Sequence, residues 1–269
     1  YDSAGVVVLD DKSNVFVKRA VGKVAELEKS LNGSTWLPSG LGIAHTRWAT
    51  HGEPAERNAH PHADGSDEFW VTHNGIIENY KELKAELVAE GSAFRSDTDT
   101  EVLAHLVAKY YKELPVGPSR LFDAVRKSLL RVRGTYGIAV VCKHEPDKII
   151  AARNSSPLLI GIGDGEHMIA SDASAIVHLT KSVIYLDDHE IAEVRRDGFR
   201  IENMTGSSTM RKPSVLEWDA EMLEKLGHEH FMHKEIFEIP EVIENSMRGR
   251  LILEEGRAKL GGIEDEKKK

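Results

Sequence analysis

The sequence has a single cysteine, Cys142, among its 269 residues, and this scarcity excludes an internal disulfide bond. A protein without disulfides fits the reducing cytoplasm, so we expect a cytoplasmic location. No apolar run reaches the roughly eighteen residues that a membrane-spanning helix needs. The first residues, YDSAGVVVLDD, lack the basic and apolar regions of a signal peptide.

The chain also lacks an excess of positive charge. Its formal net charge is −9, which argues against a nucleic-acid backbone as the main partner. Hydrophobic residues make up 41% and charged residues 29%, as is typical of soluble globular proteins. The length suffices to bury a sizeable core in one large domain or two small ones. Neither a membrane nor a nucleic acid is therefore an expected partner.

Short β-branched segments recur along the first 203 residues and predict strands. They lie at 6–9, 15–17, 40–45, 68–73, 136–143, 148–153, 158–163, 167–171, 183–188 and 191–203. GDG at 163–165 and RDG at 196–198 each join two of these segments and predict hairpin turns.

Apolar residues at intervals of three and four predict helices between some of these strands. The predicted helices span 79–90, 99–112 and 119–133. Gly91 is a C-terminal capping candidate, Thr98 or Asp99 an N-terminal one, and Pro115 and Gly134 are stop signals. The later strands have no crossover helices, so the order predicts antiparallel sheets with helices layered outside them.

The composition changes at about residue 204. The segment MTGSSTMRKPS is polar and predicts a linker, and a charged, helical segment follows it. The last residues, EDEKKK, predict a solvated, frayed end.

Histidines concentrate in HTRWATHGEPAERNAHPH, residues 45–62, and His73 follows. Successive histidines are 6, 9, 2 and 11 residues apart, with Gly52, Pro54 and Pro61 between them. Zinc sites favour short fixed spacings or two histidines one helical turn apart, so we predict no metal site. Two alternatives remain open: buried polar residues that bond to a loop backbone, or a loop that holds a small polar substrate.

The substrate-loop alternative rests on the residues beside the histidines. Arg47 offers a planar fork for a carboxylate, and Thr50 adds a hydroxyl. Trp48 is suited to act as an apolar lid. Composition alone does not choose between this alternative and the structural one.

Two further segments carry polar groups that suit the same chemistry. HNG at 73–75 predicts a turn at a strand end, where the Asn74 amide and the Gly75 N–H are able to form an oxyanion hole. In SDTDTE at 96–101, Asp99 either caps a helix or binds an ammonium group. Cys142 lies in a continuous apolar strand, so we expect inert packing there and no nucleophile.

Several motifs together resemble the glucosamine-6-phosphate synthase family, also called glutamine–fructose-6-phosphate aminotransferases. They are YDSAG, GIAHTRWATHGEP, NAHPH, HNGIIENY, SDTDTEV, RGTYGIAVV, SPLLIGIG and HFMHKEIFEIPE. The resemblance implies an α+β fold, the four-layer α/β/β/α sandwich of N-terminal-nucleophile, class II glutamine amidotransferase domains. This agrees with the antiparallel, hairpin-rich prediction.

The resemblance also implies roles for individual residues. Arg47, Thr50 and His51 would hold the carboxylate of L-glutamine, Asp99 its ammonium group, and His60 would line the same pocket.

The remaining implied roles concern the reaction itself. Asn74 and Gly75 would form the oxyanion hole, and Trp48 would gate the ammonia path. In the family an N-terminal cysteine attacks the glutamine amide. The family's opening strand and helix precede YDSAG, so we expect an N-terminally truncated fragment without that cysteine.

Domain organisation and partners follow from the same resemblance. We expect an amidotransferase domain at 1–203, a helical linker at 204–250, and the start of a sugar-isomerase region or a disordered tail at 251–269. Ammonia would pass to the isomerase domain, where fructose 6-phosphate binds. We expect no cofactor, and a homo-oligomer when the protein is full length. His233 and Ile239 depart from the glutamines usual at the family's domain junction.

Two alternatives differ in class from the glutaminase. One is a non-catalytic glutamine-binding module that has lost its nucleophile. The other, which is weaker, is a histidine metalloenzyme.

Overall fold

The computed structural model describes residues 1–33, 40–216 and 228–247, and the backbone of 251–252 and 257–258. The chain divides into two compact units, Tyr1–Glu217 and Trp218–Lys269. No helix in the described ranges is long and apolar enough to cross a membrane.

The first unit consists of antiparallel sheets. Its strands are β1 (Ser3–Leu9), β2 (Val15–Val21), β3 (Leu41–Arg47), β4 (His62–Ala63), β5 (Phe69–Ile77), β6 (Gly134–Cys142), β7 (Glu145–Asn154), β8 (Leu159–Ile162), β9 (His167–Ala170), β10 (Ser182–Tyr185), β11 (Glu190–Arg195), β12 (Phe199–Asn203) and β13 (Ser214–Val215). They form a central sheet β12-β11-β7-β6-β5-β4, a sheet β2-β1-β3 and a sheet β13-β10-β8-β9. All neighbouring strands within these sheets are antiparallel, as predicted.

Helices cover one face of the central sheet. The helices of this unit are α1 (Val24–Leu31), α2 (Tyr80–Ala89), α3 (Glu101–Glu113) and α4 (Arg120–Leu129). The apolar faces of α2, α3 and α4 pack on alternate residues of the sheet, such as Phe69, Val71 and Ile138. The amphipathic periodicity therefore gave the correct faces for these three helices.

The other face of the central sheet packs on the two smaller sheets. Trp70 and Val141, which alternate with the helix-facing residues, contact Val7 and Ile43 of the sheet β2-β1-β3. Residues of β7, β11 and β12 pack in the same way on the sheet that contains β8 and β10. Because both faces of β6 are covered, its sequence is a continuous apolar run.

Helix α1 forms the outermost layer. It contacts β1 and β2, and its buried Leu27 lines the same cavity as Ala4, which alternates with the core residue Val7. The four layers are therefore helix, sheet, sheet and helix, which confirms the predicted sandwich. The sequence analysis missed α1 because Leu27 is its only buried residue and most of its other residues are exposed.

Two helix-boundary predictions were wrong. The N-cap of α3 is Thr100 and not Thr98 or Asp99, because the side chains of those two residues bond to His62 and to Ile77. Helix α4 ends at Leu129, and Gly134 instead opens β6.

Gly134 has a structural role of its own. Its φ is +128°, and a Cβ there would lie 2.0 Å from the carbonyl oxygen of Ile76. Both predicted stop signals directly follow the capping residue of a helix: Gly91 follows Glu90 at the end of α2, and Pro115 follows Leu114 at the end of α3.

The hairpin predictions were correct. GDG joins the paired strands β8 and β9, and RDG joins β11 and β12. The predicted linker contributes Ser214 to β13, which pairs with β10.

The second unit contains the helix α5 (Phe231–Met247), which includes Pro240, and the strands β14 (Leu251–Ile252) and β15 (Arg257–Ala258). The two strands pair antiparallel, where the sequence predicted a continuing helix. The predicted frayed end, EDEKKK, lies outside the described residues.

Candidate functional site

A cavity of about 230 Å³ opens where β3 and β5 meet the loops that precede α3 and follow β3. It is lined by Tyr1, His45, Thr46, Arg47, Trp48, Thr50, His51, His60, His73, Asn74, Gly75, Thr98, Asp99 and Thr100. All the site residues predicted from the sequence are in this set, although they come from segments more than fifty positions apart. The fold therefore brings together the histidine-rich stretch, HNG and SDTDTE.

Asn74 and Gly75 lie within β5 and not in a turn, so the predicted turn at HNG was wrong. The strand continues to Ile77, and Asn74 and Gly75 pair with Gly137 and Tyr136 of β6. Gly75 has a φ of +134°, and a Cβ there would lie 2.1 Å from the carbonyl oxygen of Thr135. Glycine is thus required by a close backbone approach inside the sheet.

The Asn74 side chain is half-buried and is held by one contact. Its Oδ1 lies 2.7 Å from Nε2 of His45 on β3. Within the described ranges, this is the only hydrogen bond of the Asn74 side chain. The Nδ2 group is therefore available to donate a hydrogen bond to a ligand in the cavity.

Arg47 is buried, with 3% of its surface exposed, and its guanidinium holds the adjacent loop. It donates to the carbonyl oxygens of His51, Gly52 and Glu53, the second at 3.0 Å, and to the Asp2 carboxylate at 3.2 Å. The sequence analysis had treated this fork as free for a ligand. The structure instead shows that Arg47 builds the wall of the cavity.

Asp99 brings a buried carboxylate to the cavity. Its Oδ2 accepts a hydrogen bond of 2.7 Å from the backbone N–H of Ile77, and only 4% of the residue is exposed. Its Oδ1 lies 4.0 Å from Nδ1 of His51. A buried carboxylate with one oxygen facing a polar cavity is suited to accept a cationic group.

Thr50, His51 and Trp48 form the more open side. Thr50 and Trp48 are exposed, with 77% of the Trp48 surface accessible, and His51 packs edge-on against Tyr80 with 5.3 Å between ring centroids. The Trp48 ring lies 6.4 Å from that of Tyr1.

Buried histidines pack against one another at the wall of the cavity. The His60 ring lies 4.3 Å from that of His45 and 4.6 Å from that of His62. Burial lowers the pKa of His45 and His73, lowers the pKa of His62 to about 3, and places the pKa of His60 well below its usual value. These rings are therefore neutral at neutral pH.

Several ring nitrogens are committed to protein partners. His62 Nε2 lies 3.1 Å from the Thr98 hydroxyl, and His73 Nδ1 lies 2.9 Å from the Thr100 hydroxyl. Among the described residues, no group of three or more His, Cys, Asp or Glu side chains is placed to hold a metal ion. The sequence analysis singled out these histidines but missed the threonines that orient them.

Cys142 does not line the cavity. It is fully buried, burial raises the pKa of its thiol to about 12, and the backbone N–H of His144 donates to its sulfur. This confirms the prediction that Cys142 is a core residue.

Comparison with known families and proteins gives a consistent result. Residues 45–178 match the family model described as "Glutamine amidotransferase domain". The chain is 51% identical over 268 residues to a glutamine–fructose-6-phosphate aminotransferase (isomerizing) of Chlorobaculum tepidum, a match that covers 98% of this chain and 43% of that protein. The corresponding proteins of Aquifex aeolicus and Pyrococcus horikoshii are each 46% identical.

The fold has solved counterparts as well. A glutamine phosphoribosylpyrophosphate amidotransferase of B. subtilis superposes with a TM-score of 0.61 at 25% identity and covers 78% of this chain and 44% of that one. A class-II glutamine aminotransferase domain protein of Silicibacter pomeroyi gives 0.52 at 18% identity, with 74% and 90% covered, and supports the fold alone. The chain spans about two fifths of the length of the curated relatives that it matches.

Proposed function

Because this chain belongs to the glutamine amidotransferase family, we propose that it is the glutamine-hydrolysing part of a glutamine–fructose-6-phosphate aminotransferase. The observation that carries the proposal is the single cavity that gathers the Asn74 amide, the Asp99 carboxylate and the loop held by Arg47. The identity to the aminotransferases over nearly the whole chain supports the same activity.

In the proposed reaction a thiolate adds to the side-chain amide carbon of L-glutamine. The carbonyl oxygen becomes an oxyanion. As the intermediate collapses, the C–N bond breaks, and the nitrogen takes up the proton that the thiol had given to the base and leaves as ammonia. Water then hydrolyses the thioester to glutamate. The Asn74 Nδ2 group and the Gly75 N–H would stabilise the oxyanion. Each such donor contributes about 2.7–4 kcal/mol when it is placed for the transition state.

The other lining residues would bind the two ends of the substrate. Asp99 would receive the α-ammonium group, because it is the buried anion of the cavity. Thr50, His51 and the wall built by Arg47 would meet the α-carboxylate. His60 would pack behind them.

The nucleophile of this proposal is not Cys142, which is buried away from the cavity. We assign the thiol to a cysteine outside the 269 residues. In this proposal the histidines of the cavity do not accept the proton of the thiol. The nucleophilic residue uses its own amine as the base.

The whole-protein activity extends this proposal. Residues 1–203 would be the amidotransferase domain, 204–250 the linker, and 251–269 the approach to a sugar-isomerase domain that converts fructose 6-phosphate to glucosamine 6-phosphate. Trp48, exposed at the cavity, would gate the passage of ammonia. Within this linker, α5 carries exposed apolar side chains, Phe237 and Val242 among them, and these support contact with a partner domain. We also propose that the complete protein is a homo-oligomer.

An Asp99→Asn variant of the complete protein tests the assignment. The amide keeps the size of the side chain but removes the charge that would bind the ammonium group. We expect the KM for glutamine to rise by about tenfold or more, as for a lost charge-assisted bond of 1.5–3 kcal/mol. Synthesis from free ammonia should stay near the wild-type rate. Equal losses with glutamine and with ammonia would contradict the role of Asp99 in substrate binding.

A further inference from the structure

His45 makes a contact that the proposed reaction does not use. It lies on β3, in the smaller sheet, whereas Asn74 lies on β5 in the central sheet. The 2.7 Å contact between His45 Nε2 and Asn74 Oδ1 therefore crosses between two layers of the sandwich. Both residues line the candidate cavity.

The contact fixes the protonation of the imidazole. An amide oxygen only accepts, so Nε2 must carry the proton and donate to Asn74 Oδ1. The Nδ1 atom of His45 is buried and has no hydrogen-bond partner, so it is best left as a bare lone pair. Burial and the nearby Arg47 favour the neutral ring, because they lower the pKa of His45.

The reverse arrangement is less favourable. If the Asn74 amide were turned so that Nδ2 donated to Nε2, the proton of His45 would sit on Nδ1. That proton would be a buried, unpaired donor, which is rarer and costlier than an unpaired acceptor. It would also turn the Asn74 oxygen toward the cavity, where it would repel a developing negative charge.

We propose that His45 is a positioning residue that locks the Asn74 amide with its N–H donors directed at the reacting carbonyl oxygen. This role rests on the proposed glutaminase function, because the orientation of the Asn74 amide affects the rate only if an oxyanion forms beside it. His45 itself touches no substrate atom in this proposal and acts through Asn74.

The size of the effect follows from the value of one neutral hydrogen bond. A bond of about 0.5–1.5 kcal/mol biases the two amide orientations by roughly two- to tenfold. His45→Leu removes the donor but keeps apolar volume. The two orientations would then be about equally populated, so kcat for glutamine hydrolysis should fall by up to about twofold. The KM for glutamine should change little, because the amide acts mainly on the transition state.

The test is a double-mutant cycle in the complete protein, with His45→Leu and Asn74→Ala alone and combined. If His45 acts through Asn74, His45→Leu causes no further loss of kcat in the Asn74→Ala background. His45→Gln, whose amide N–H can reach the same oxygen, should restore most of the rate. Melting temperatures of all variants separate this effect from a loss of folding.

Three outcomes would overturn the proposal. One is the same proportional loss from His45→Leu with and without Asn74, and another is a His45→Gln variant as slow as His45→Leu. Both leave the glutaminase function standing, because the wild type still hydrolyses glutamine. Absence of hydrolysis in the wild-type complete protein would instead overturn the proposed function together with this role.

Discussion

Asn74→Ala removes two contacts at once, and the structure gives each a different magnitude. The first is the hydrogen bond to His45, which is neutral and lies beside a cavity. Its loss should cost about 1 kcal/mol of unfolding free energy. For a unit the size of Tyr1–Glu217, this corresponds to a fall of about 2–4 °C in melting temperature.

The second contact exists only during the reaction. If Asn74 donates to the oxyanion, its removal should lower kcat by about a hundred- to a thousandfold, with little change in the KM for glutamine. The loss of activity should therefore far exceed what the loss of stability explains. Steady-state hydrolysis and thermal melting of the complete protein measure the two effects separately.

Asn74→Asp is the matched control. The carboxylate still accepts a hydrogen bond from His45, so the melting temperature should stay near that of the wild type. It offers no donor and places a negative charge beside the oxyanion, so kcat should fall at least as far as in Asn74→Ala. A variant that melts early but turns over at a normal rate would refute the oxyanion role and leave Asn74 as a structural residue.

Two further predictions concern the surroundings of the cavity. Arg47→Lys should lower the unfolding free energy by roughly 2–3 kcal/mol, because one ammonium cannot serve the Asp2 carboxylate and the loop carbonyls together; unchanged denaturant unfolding would show that these bonds contribute little. The free energy of unfolding should also decrease as the pH is lowered. The pKa of His62 is about 3 in the folded protein, below its usual 6.5, so between these two values the unfolded chain binds a proton that the folded protein does not. The contribution of His62 is therefore complete above pH 6.5 and is lost toward pH 3, at roughly 1.4 kcal/mol per pH unit. Between pH 7 and 4, the melting temperature of His62→Gln should decrease less than that of the wild type. The same decrease in both proteins would contradict the burial of a neutral His62 ring.

The sequence predicted the layers well, because alternation and helical periodicity report directly which side of an element is buried. It failed at Asn74 and Gly75, where Asn-Gly normally indicates a turn. There the left-handed conformation of Gly75 serves a close approach to Thr135 inside a strand, and only the pairing of β5 with β6 reveals this. Local propensity does not contain that tertiary contact.

The site was predicted mainly through its resemblance to a family, and the geometry changed one part of it. The gathering of Arg47, Asn74 and Asp99 around one cavity agrees with the motif-based prediction of a shared pocket. Sequence spacing could not show that Arg47 is already bonded to loop carbonyls, because those bonds depend on how residues 51–53 fold back. The pairing of His45 with Asn74 was equally hidden, since it joins two different sheets.

The central claim is that this domain releases ammonia from glutamine for transfer to a sugar phosphate. The most direct measurement uses the complete protein, fructose 6-phosphate and L-glutamine labelled with ¹⁵N in the side-chain amide, with mass spectrometry of the amino-sugar product. The account predicts ¹⁵N in the product even when unlabelled ammonia is present, and the same result for a Cys142→Ala variant. A product without the label, or glutamine that remains intact, would contradict it.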